Sequence, residues 1–175
     1  ARIIYDRQKG GVDPLGPDNI FAIMTSPLTG TPVPATSRFS IMGKSPLTGG
    51  WGDANSGGFF GPYLKFAGYD GVFIRGAAKN PVSIVIADGK VEIVDASDLW
   101  GKDTFETDNI LAEKYGKDSE SLSIGPAGEK LSLISGVITK KGSAAARSGL
   151  GAVMGSKKLK SVTVIKGEHK TPIAD

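Results

Sequence analysis

Val82-Ser83-Ile84-Val85-Ile86-Ala87-Asp88-Gly89-Lys90-Val91-Glu92-Ile93-Val94 is the stretch on which the fold class turns. Two β-branched runs flank Asp88-Gly89, and a two-residue type I′ turn needs positive φ at both central positions, a conformation these two residues tolerate well. The segment predicts a β-hairpin. Working outward, residues 20–24, 38–42, 72–74 and 162–165 read as short strands, and 131–139 as an imperfectly alternating one. Asp103, with Glu106 three residues on, is a capping arrangement that opens a helix to about Tyr115, with Gly116 as its stop. Residues 59–67 suit a short helix, with Pro62 in its first turn and Gly68 just beyond its end. Residues 143–154, rich in small side chains, are also helix-compatible, whereas 49–58 reads as a loop. Strands outnumber helices and are not separated by regular helices, so the expected class is α+β, in one β-rich domain over residues 1–175.

Composition narrows the functional classes. The chain has 175 residues, 39% hydrophobic and 22% charged, an ordinary globular mixture except for its 25 glycines, about twice the usual share. Some segments must therefore need positive φ or a close approach of backbone to a neighbour. The net charge, 21 − 18 = +3, is too small to argue for nucleic acid, but the charges are unevenly spread. Between Asp18 and Asp70 the only acid is Asp53, against Arg38, Lys44 and Lys65. Between Glu129 and Glu168 there is none, against Lys130, Lys140, Lys141, Arg147, Lys157, Lys158, Lys160 and Lys166. Two anion-tolerant surfaces are the inference. Cysteine is absent, which excludes disulfides and thiolate metal sites within the chain. The single His169 reads as a solvated tail residue. No apolar run approaches the ~18 residues of a membrane span, and no signal peptide is visible. Ala1-Arg2-Ile3-Ile4-Tyr5 reads as the end of an element already under way, as if the chain were truncated at its start.

Two glycine-rich segments could carry binding chemistry. Gly49-Gly50-Trp51-Gly52-Asp53-Ala54-Asn55-Ser56-Gly57-Gly58 precedes a helix, and glycines let backbone amides approach an anion; a mobile surface loop is the equally weighted alternative. In Gly142-Ser143-Ala144-Ala145-Ala146-Arg147-Ser148-Gly149-Leu150-Gly151, small residues allow close packing against a backbone or a flat ligand, and Arg147 offers a forked donor. The alternative there is a tightly packed helix with one surface arginine. Neither segment has the lysine-plus-hydroxyl ending of a P-loop or the dinucleotide fingerprint. Without cysteine, and with one terminal histidine, no nucleophilic constellation is available, so no catalytic residue is expected in this chain. Trp51, Phe59 and Phe60 beside the first segment are expected to form an exposed apolar patch.

Eight motifs in order resemble the N-terminal domain of the aldehyde:ferredoxin oxidoreductase family. They are Asp13-Pro14-Leu15-Gly16-Pro17-Asp18-Asn19, Pro27-Leu28-Thr29-Gly30-Thr31, Lys44-Ser45-Pro46-Leu47-Thr48-Gly49, Asn55-Ser56-Gly57-Gly58, Leu64-Lys65-Phe66-Ala67-Gly68-Tyr69-Asp70, Trp100-Gly101-Lys102, Ile124-Gly125-Pro126-Ala127-Gly128-Glu129 and Gly151-Ala152-Val153-Met154-Gly155-Ser156-Lys157. The resemblance covers essentially the whole chain. It implies two pseudo-symmetric halves forming a base under a bis-pterin cofactor, tungstopterin or molybdopterin. The recurrence of Ser-Pro-Leu-Thr-Gly at Ser26 and Ser45 is consistent with such a duplication. The cofactor-binding residues it implies are Arg38, Asn55 and Gly57 on one side and Ser143, Ala144, Ala146 and Arg147 on the other. Backbone carbonyls of Asn55 and Ala144 would hold a Mg2+ ion that bridges the pterin phosphates. The second loop departs from the family's Arg-Ala-Ala-Gly-Arg-Gly-Gly: Ser143 stands for an arginine and Ala146 for a glycine.

The implied activity of the whole enzyme is oxidation of an aldehyde to a carboxylic acid, with ferredoxin as electron acceptor. A [4Fe-4S] electron-transfer cluster and the acid/base residues belong to later domains, in a cytoplasmic, anaerobic setting. This chain alone is expected to be inactive. Expected partners are the remaining domains of the same chain, with no nucleic acid and no membrane; self-association into a homo-oligomer stays open. The competing reading is a non-catalytic binding or assembly module that kept the fold and lost the metal-pterin cofactor.

Overall fold

In the computed structural model, which describes residues 1–173 apart from the side chain of Lys141, the strands form two sheets. Residues 174–175 of the expected domain and the Lys141 cation lie outside the described residues. The first sheet holds β1 (Phe21–Thr25), β2 (Phe39–Lys44), β3 (Trp51–Ser56) and β4 (Gly71–Ile74), in the order β3-β2-β1-β4, with every neighbouring pair antiparallel. The second holds β5 (Val82–Ala87), β6 (Lys90–Asp95), β7 (Ser119–Ser123), β8 (Val137–Thr139), β9 (Ala144–Ala145) and β10 (Leu159–Ile165). Its order is β6-β5-β10-β7-β8-β9, antiparallel except for the parallel β5–β10 pair. The helices are α1 (Arg2–Arg7), α2 (Phe60–Phe66), α3 (Thr104–Tyr115), α4 (Pro126–Glu129) and α5 (Leu150–Ser156).

One apolar core joins these layers. Phe21, Phe39 and Ile41 of the first sheet meet Ile86, Leu122, Val162 and Val164 of the second, with Phe60 and Leu64 of α2 and Val153 and Met154 of α5 between them. Full burial of a large apolar side chain is worth about 1.5–3 kcal/mol, so this contact is the main adhesive between the sheets. The hairpin forms as expected: Asp88 and Gly89 both take positive φ, 42° and 74°. The Asp103/Glu106 capping box opens α3 and Gly116 caps its end. Helix α2 stops just before Gly68, as the sequence indicated.

Four expectations are corrected. Within 49–58, Trp51–Ser56 is a strand, because its small residues pair along β2 from Lys44↔Trp51 to Phe39↔Ser56. Residues 143–154 are not one helix; β9 and a turn precede α5, since Ala145 pairs with Val137 and Ser148 and Gly149 adopt positive φ. Of residues 131–139 only Val137–Thr139 is a strand, and Leu131, Leu133 and Ile134 remain exposed. The sequence reading assigned nothing to Ser119–Ser123, yet β7 is interior to the larger sheet. Its hydroxyls have partners there: Ser121 shares a 2.9 Å hydrogen bond with Thr163, and Ser83 on β5 shares one of 2.7 Å with Ser161. The two Ser-Pro-Leu-Thr-Gly copies follow β1 and β2, so both belong to the first sheet and neither marks the second.

The interior also takes up cations that the charge distribution had placed on a surface. Lys160 is fully buried; its Nζ donates to Glu129 Oε1 at 2.6 Å and to the Lys102 carbonyl at 2.7 Å. The Glu129 oxygens also accept the Gly101 N–H at 3.0 and 2.9 Å. Lys157, 2% exposed, donates to the Pro17 and Gly76 carbonyls at 3.2 and 3.0 Å. Burial lowers its pKa from 10.5 to about 8, with Asp18 opposing that shift and Arg75 reinforcing it. Residues that carry much of the family resemblance therefore act as interior clamps.

Removing one partner of a buried pair strands the other charge, at about 3–5 kcal/mol. Glu129→Gln and Lys160→Met are each expected to lose about that much in urea unfolding, and the double variant clearly less than the sum. For Lys157, the unfolded chain binds more protons than the folded one between pH ~8 and ~10.5. Its contribution to stability is thus full above the unfolded pKa and lost as pH falls through the folded one. Unfolding free energy of the parent relative to Lys157→Met should rise across that window; a flat difference would contradict the buried, charged lysine.

Candidate functional site

Strand β3 lies at the edge of the first sheet and alternates strictly: Gly52, Ala54 and Ser56 are buried, while Trp51, Asp53 and Asn55 are exposed. Arg38, the residue before β2, reaches across to Asn55. Its Nε donates to Asn55 Oδ1 at 3.0 Å, and its Nη2 donates to the same oxygen. One amide oxygen thus orients the guanidinium plane and leaves the other N–H groups for a ligand. Both side chains line an open cavity of about 540 Å³ together with Met24, Ser26, Thr36 and Ser40. Gly57 and Gly58 follow β3 directly, and Gly58 has φ 99°.

The second segment is brought against this edge. Ser143, Ala144, Ala146 and Arg147 are exposed around β9. Ser148 Oγ accepts the Asp53 N–H and donates to the Asp53 carbonyl, both at 3.3 Å, and the Ser148 carbonyl accepts from Ser45 Oγ at 2.8 Å. Alternate residues of a strand direct their main-chain groups to the same side. Asp53 turns its amide and carbonyl towards Ser148, so the Asn55 carbonyl faces that side too. In β9 the Ser143 carbonyl accepts from the Thr139 N–H at 2.7 Å, which points it at β8 and turns the Ala144 carbonyl the other way, off the free edge. The carbonyls of Asn55 and Ala144 thus both leave the two strand edges that abut. Among the described residues no group of three or more His, Cys, Asp or Glu side chains could hold a metal, and main-chain carbonyl oxygens are hard donors of the kind Mg2+ accepts.

Ala146 takes an ordinary φ, so its backbone does not require the family's glycine, but its methyl is exposed. Of the expected aromatic patch, Trp51 and Phe59 are 49% and 63% exposed, whereas Phe60 is buried in the core against Phe39, with ring centroids 5.0 Å apart. Phe59 caps the start of α2 and Phe60 opens its buried face, while Trp51 lies on the exposed face of β3. Sequence reading assigned no role to Asn19, Ser45 and Ser148, the residues that tie the site together, because their partners are main-chain groups far along the chain. Asn19, fully buried, donates to the Pro14 and Lys44 carbonyls at 2.6 and 3.0 Å and accepts the Lys44 N–H at 3.0 Å.

Residues 1–166 match the family model described as "Aldehyde ferredoxin oxidoreductase, N-terminal domain". The chain is 48% identical over 165 residues to the tungsten-containing aldehyde ferredoxin oxidoreductase of Pyrococcus furiosus, covering 94% of this chain and 27% of that protein. It is 38% identical to an aliphatic sulfonate oxidoreductase, WOR-like subunit, of the same organism, over 92% of this chain and 27% of that one. Among solved structures it is similar to the active site complex BamBC of benzoyl coenzyme A reductase in complex with 1,5-dienoyl-CoA, with a TM-score of 0.93 and 36% identity over 97% of this chain and 26% of that one. The chain thus spans about a quarter of the length of the proteins it matches.

The two asparagines separate structure from site. Asn19→Ala leaves buried main-chain groups unpaired and is expected to cost about 1–3 kcal/mol. Asn55→Ala and Arg38→Lys, at exposed positions, should stay within about 0.5 kcal/mol of the parent in thermal unfolding. A large loss at Asn55 would make it a structural residue instead.

Proposed function

The chain belongs to the aldehyde ferredoxin oxidoreductase N-terminal domain family, and from that premise we propose that it is the cofactor-cradling domain of a tungsten- or molybdenum-pterin oxidoreductase. The observation that carries this reading is the Arg38–Asn55 fork on an open cavity, beside an edge against which Ser148 docks the second loop. Topology supports a base of two related halves. The elements β1-β2-β3-α2-β4 have counterparts in β7-β8-β9-α5-β10, with α4 inserted between β7 and β8, and the strand orders β3-β2-β1-β4 and β9-β8-β7-β10 correspond, all antiparallel. Both candidate segments then include the third strand of their half and run on towards the helix that follows it.

In this reading Arg38 donates its remaining N–H groups to pterin or phosphate oxygens, while Asn55 holds the guanidinium in plane. Gly57 lets the chain pass close to the ligand, and Arg147 provides the matching cation on the second side, beside Ser143, Ala144 and Ala146. The Asn55 and Ala144 carbonyls would hold a Mg2+ ion that neutralises the phosphate charge. When bound, the metal-pterin group supplies the redox chemistry that takes an aldehyde and water to a carboxylic acid, an electron pair and protons; this domain supplies binding, orientation and phosphate electrostatics. The electrons would pass through a [4Fe-4S] cluster outside this chain to ferredoxin. The relatives' names differ in substrate while this domain is retained, which supports assigning substrate choice to other parts of the enzyme. A second reading, a cofactor-free assembly module, draws on Ser143, which brings no charge to the second loop.

Lysine cannot copy arginine's forked geometry. Arg38→Lys and Arg147→Lys in the full-length protein should each lower tungsten plus molybdenum and pterin per protein at unchanged folding. Arg147→Lys should be the more damaging, because position 143 carries no cation to share its load. Full cofactor content in both variants, or none in the parent protein, would contradict the proposal.

A further inference from the structure

The two sheets are not joined by a main-chain ladder between β3 and β9, although these edge strands abut. What crosses the seam is a side chain. Ser148 Oγ grips both main-chain groups of Asp53, at 3.3 Å each, while the Ser148 carbonyl is held at 2.8 Å by Ser45 Oγ. Ser45 is fully buried and its hydroxyl also accepts the Leu47 and Thr48 N–H groups, at 3.2 and 3.1 Å, so it is itself fixed. The surroundings are shaped around this residue. A Cβ on Gly52 would stand 3.1 Å from Ser148 Cβ, and one on Gly149 only 2.1 Å from the Leu133 carbonyl oxygen. Ser148 keeps this place at φ 67°, a backbone region where glycine is the usual occupant. Its hydroxyl on Asp53 and the Ser45 hydroxyl on its carbonyl hold it in that conformation.

We propose that Ser148 is a positioning residue that registers the two candidate cofactor loops against each other before a ligand arrives; this rests on the reading of those loops as cofactor-binding. Arg147 is its chain neighbour, and Asn55 lies two residues beyond Asp53 on the same exposed face of β3. Fixing Ser148 to Asp53 therefore fixes the second loop's cation relative to the Arg38–Asn55 fork, and the Ala144 carbonyl relative to that of Asn55. Order present beforehand need not be created on binding, which strengthens retention without adding a contact to the ligand.

The test uses the full-length protein with Ser148→Ala and Ser148→Gly, reading tungsten and pterin content, the rate of tungsten loss on dialysis against chelator, and amide exchange at Asp53 in cofactor-free protein. Both variants should lose tungsten roughly three- to ten-fold faster than the parent, the scale of one or two hydrogen bonds. The Asp53 amide should exchange faster while Val137 and Ala145 in the neighbouring ladder do not. Glycine is the decisive arm, since it relaxes the backbone but lacks the hydroxyl. Parent-like retention in Ser148→Gly would assign the position to backbone geometry and overturn the proposal, as would unchanged Asp53 exchange in both variants. A parent protein without tungsten or pterin would count against the cofactor reading itself, and Asp53 exchange would then decide the latch alone.

Discussion

The Lys160–Glu129 pair is where the second sheet, the α3 approach and the helix pair α4–α5 are fastened to one another. Lys160 belongs to β10, an interior strand, and Glu129 closes α4. The backbone groups they bind, the Gly101 N–H and the Lys102 carbonyl, lie just before α3. Two charges removed from water are tolerable only when every remaining donor and acceptor finds a partner. The Trp100-Gly101-Lys102 motif supplies such partners, a main-chain N–H to Glu129 and a carbonyl to Lys160. With α4 held, α5 can cross it at contact distance. A Cβ on Gly155 would sit 2.0 Å from the Gly128 carbonyl oxygen, so only glycine permits this crossing. The N-terminal end of α5 then delivers Gly149 and Ser148 to the edge of β3.

The same logic organises the first sheet. Asn19 folds the turn-rich 13–19 segment onto Lys44, and Lys44 leads directly into the second Ser-Pro-Leu-Thr-Gly turn. Ser45 then reaches across to Ser148. Lys157 binds the Pro17 carbonyl from the far side, so 13–19 is held from both sheets. Three of the eight motifs, 13–19, 44–49 and 151–157, are thus tied together by polar contacts, and the 100–102 and 124–129 motifs are tied to each other through Glu129 and Lys160. Most of what makes the family recognisable is scaffold, and few of those residues present chemistry to a ligand.

How much was legible follows from this division. The hairpin at Asp88-Gly89, the capping box at Asp103 and the stops at Gly68 and Gly116 are local rules, and each appeared where the sequence put it. Strand β7 was illegible because Ser119-Glu120-Ser121-Leu122-Ser123 looks polar until β10 supplies its hydrogen-bonding partners. Strand β3 was hidden for a related reason: Gly52 is small because Ser148 and Ser45 press on it, a tertiary fact with no local pattern. Charge misled most. Counting cations between Glu129 and Glu168 predicted a basic surface, but Lys157 and Lys160 are the interior clamps described above. A long aliphatic stem lets lysine cross a core and satisfy carbonyls at its far end.

The candidate site inverts these properties, and that contrast bears on its role. Arg38, Asn55 and Arg147 are exposed, and no interior clamp depends on them. They stand on or beside strand edges that serine hydroxyls hold in place. Ser148 and Ser45 hold those edges in register, with Asn19 fixing Lys44, the residue before Ser45, and Lys157 fixing the 13–19 segment. Precision of this kind is what a large, flat, multiply charged ligand demands, because its anionic ends must meet cations on two separate segments at once. An assembly module would need the same scaffold for its fold. It would have no need for an arginine held in plane by an asparagine at the mouth of a cavity.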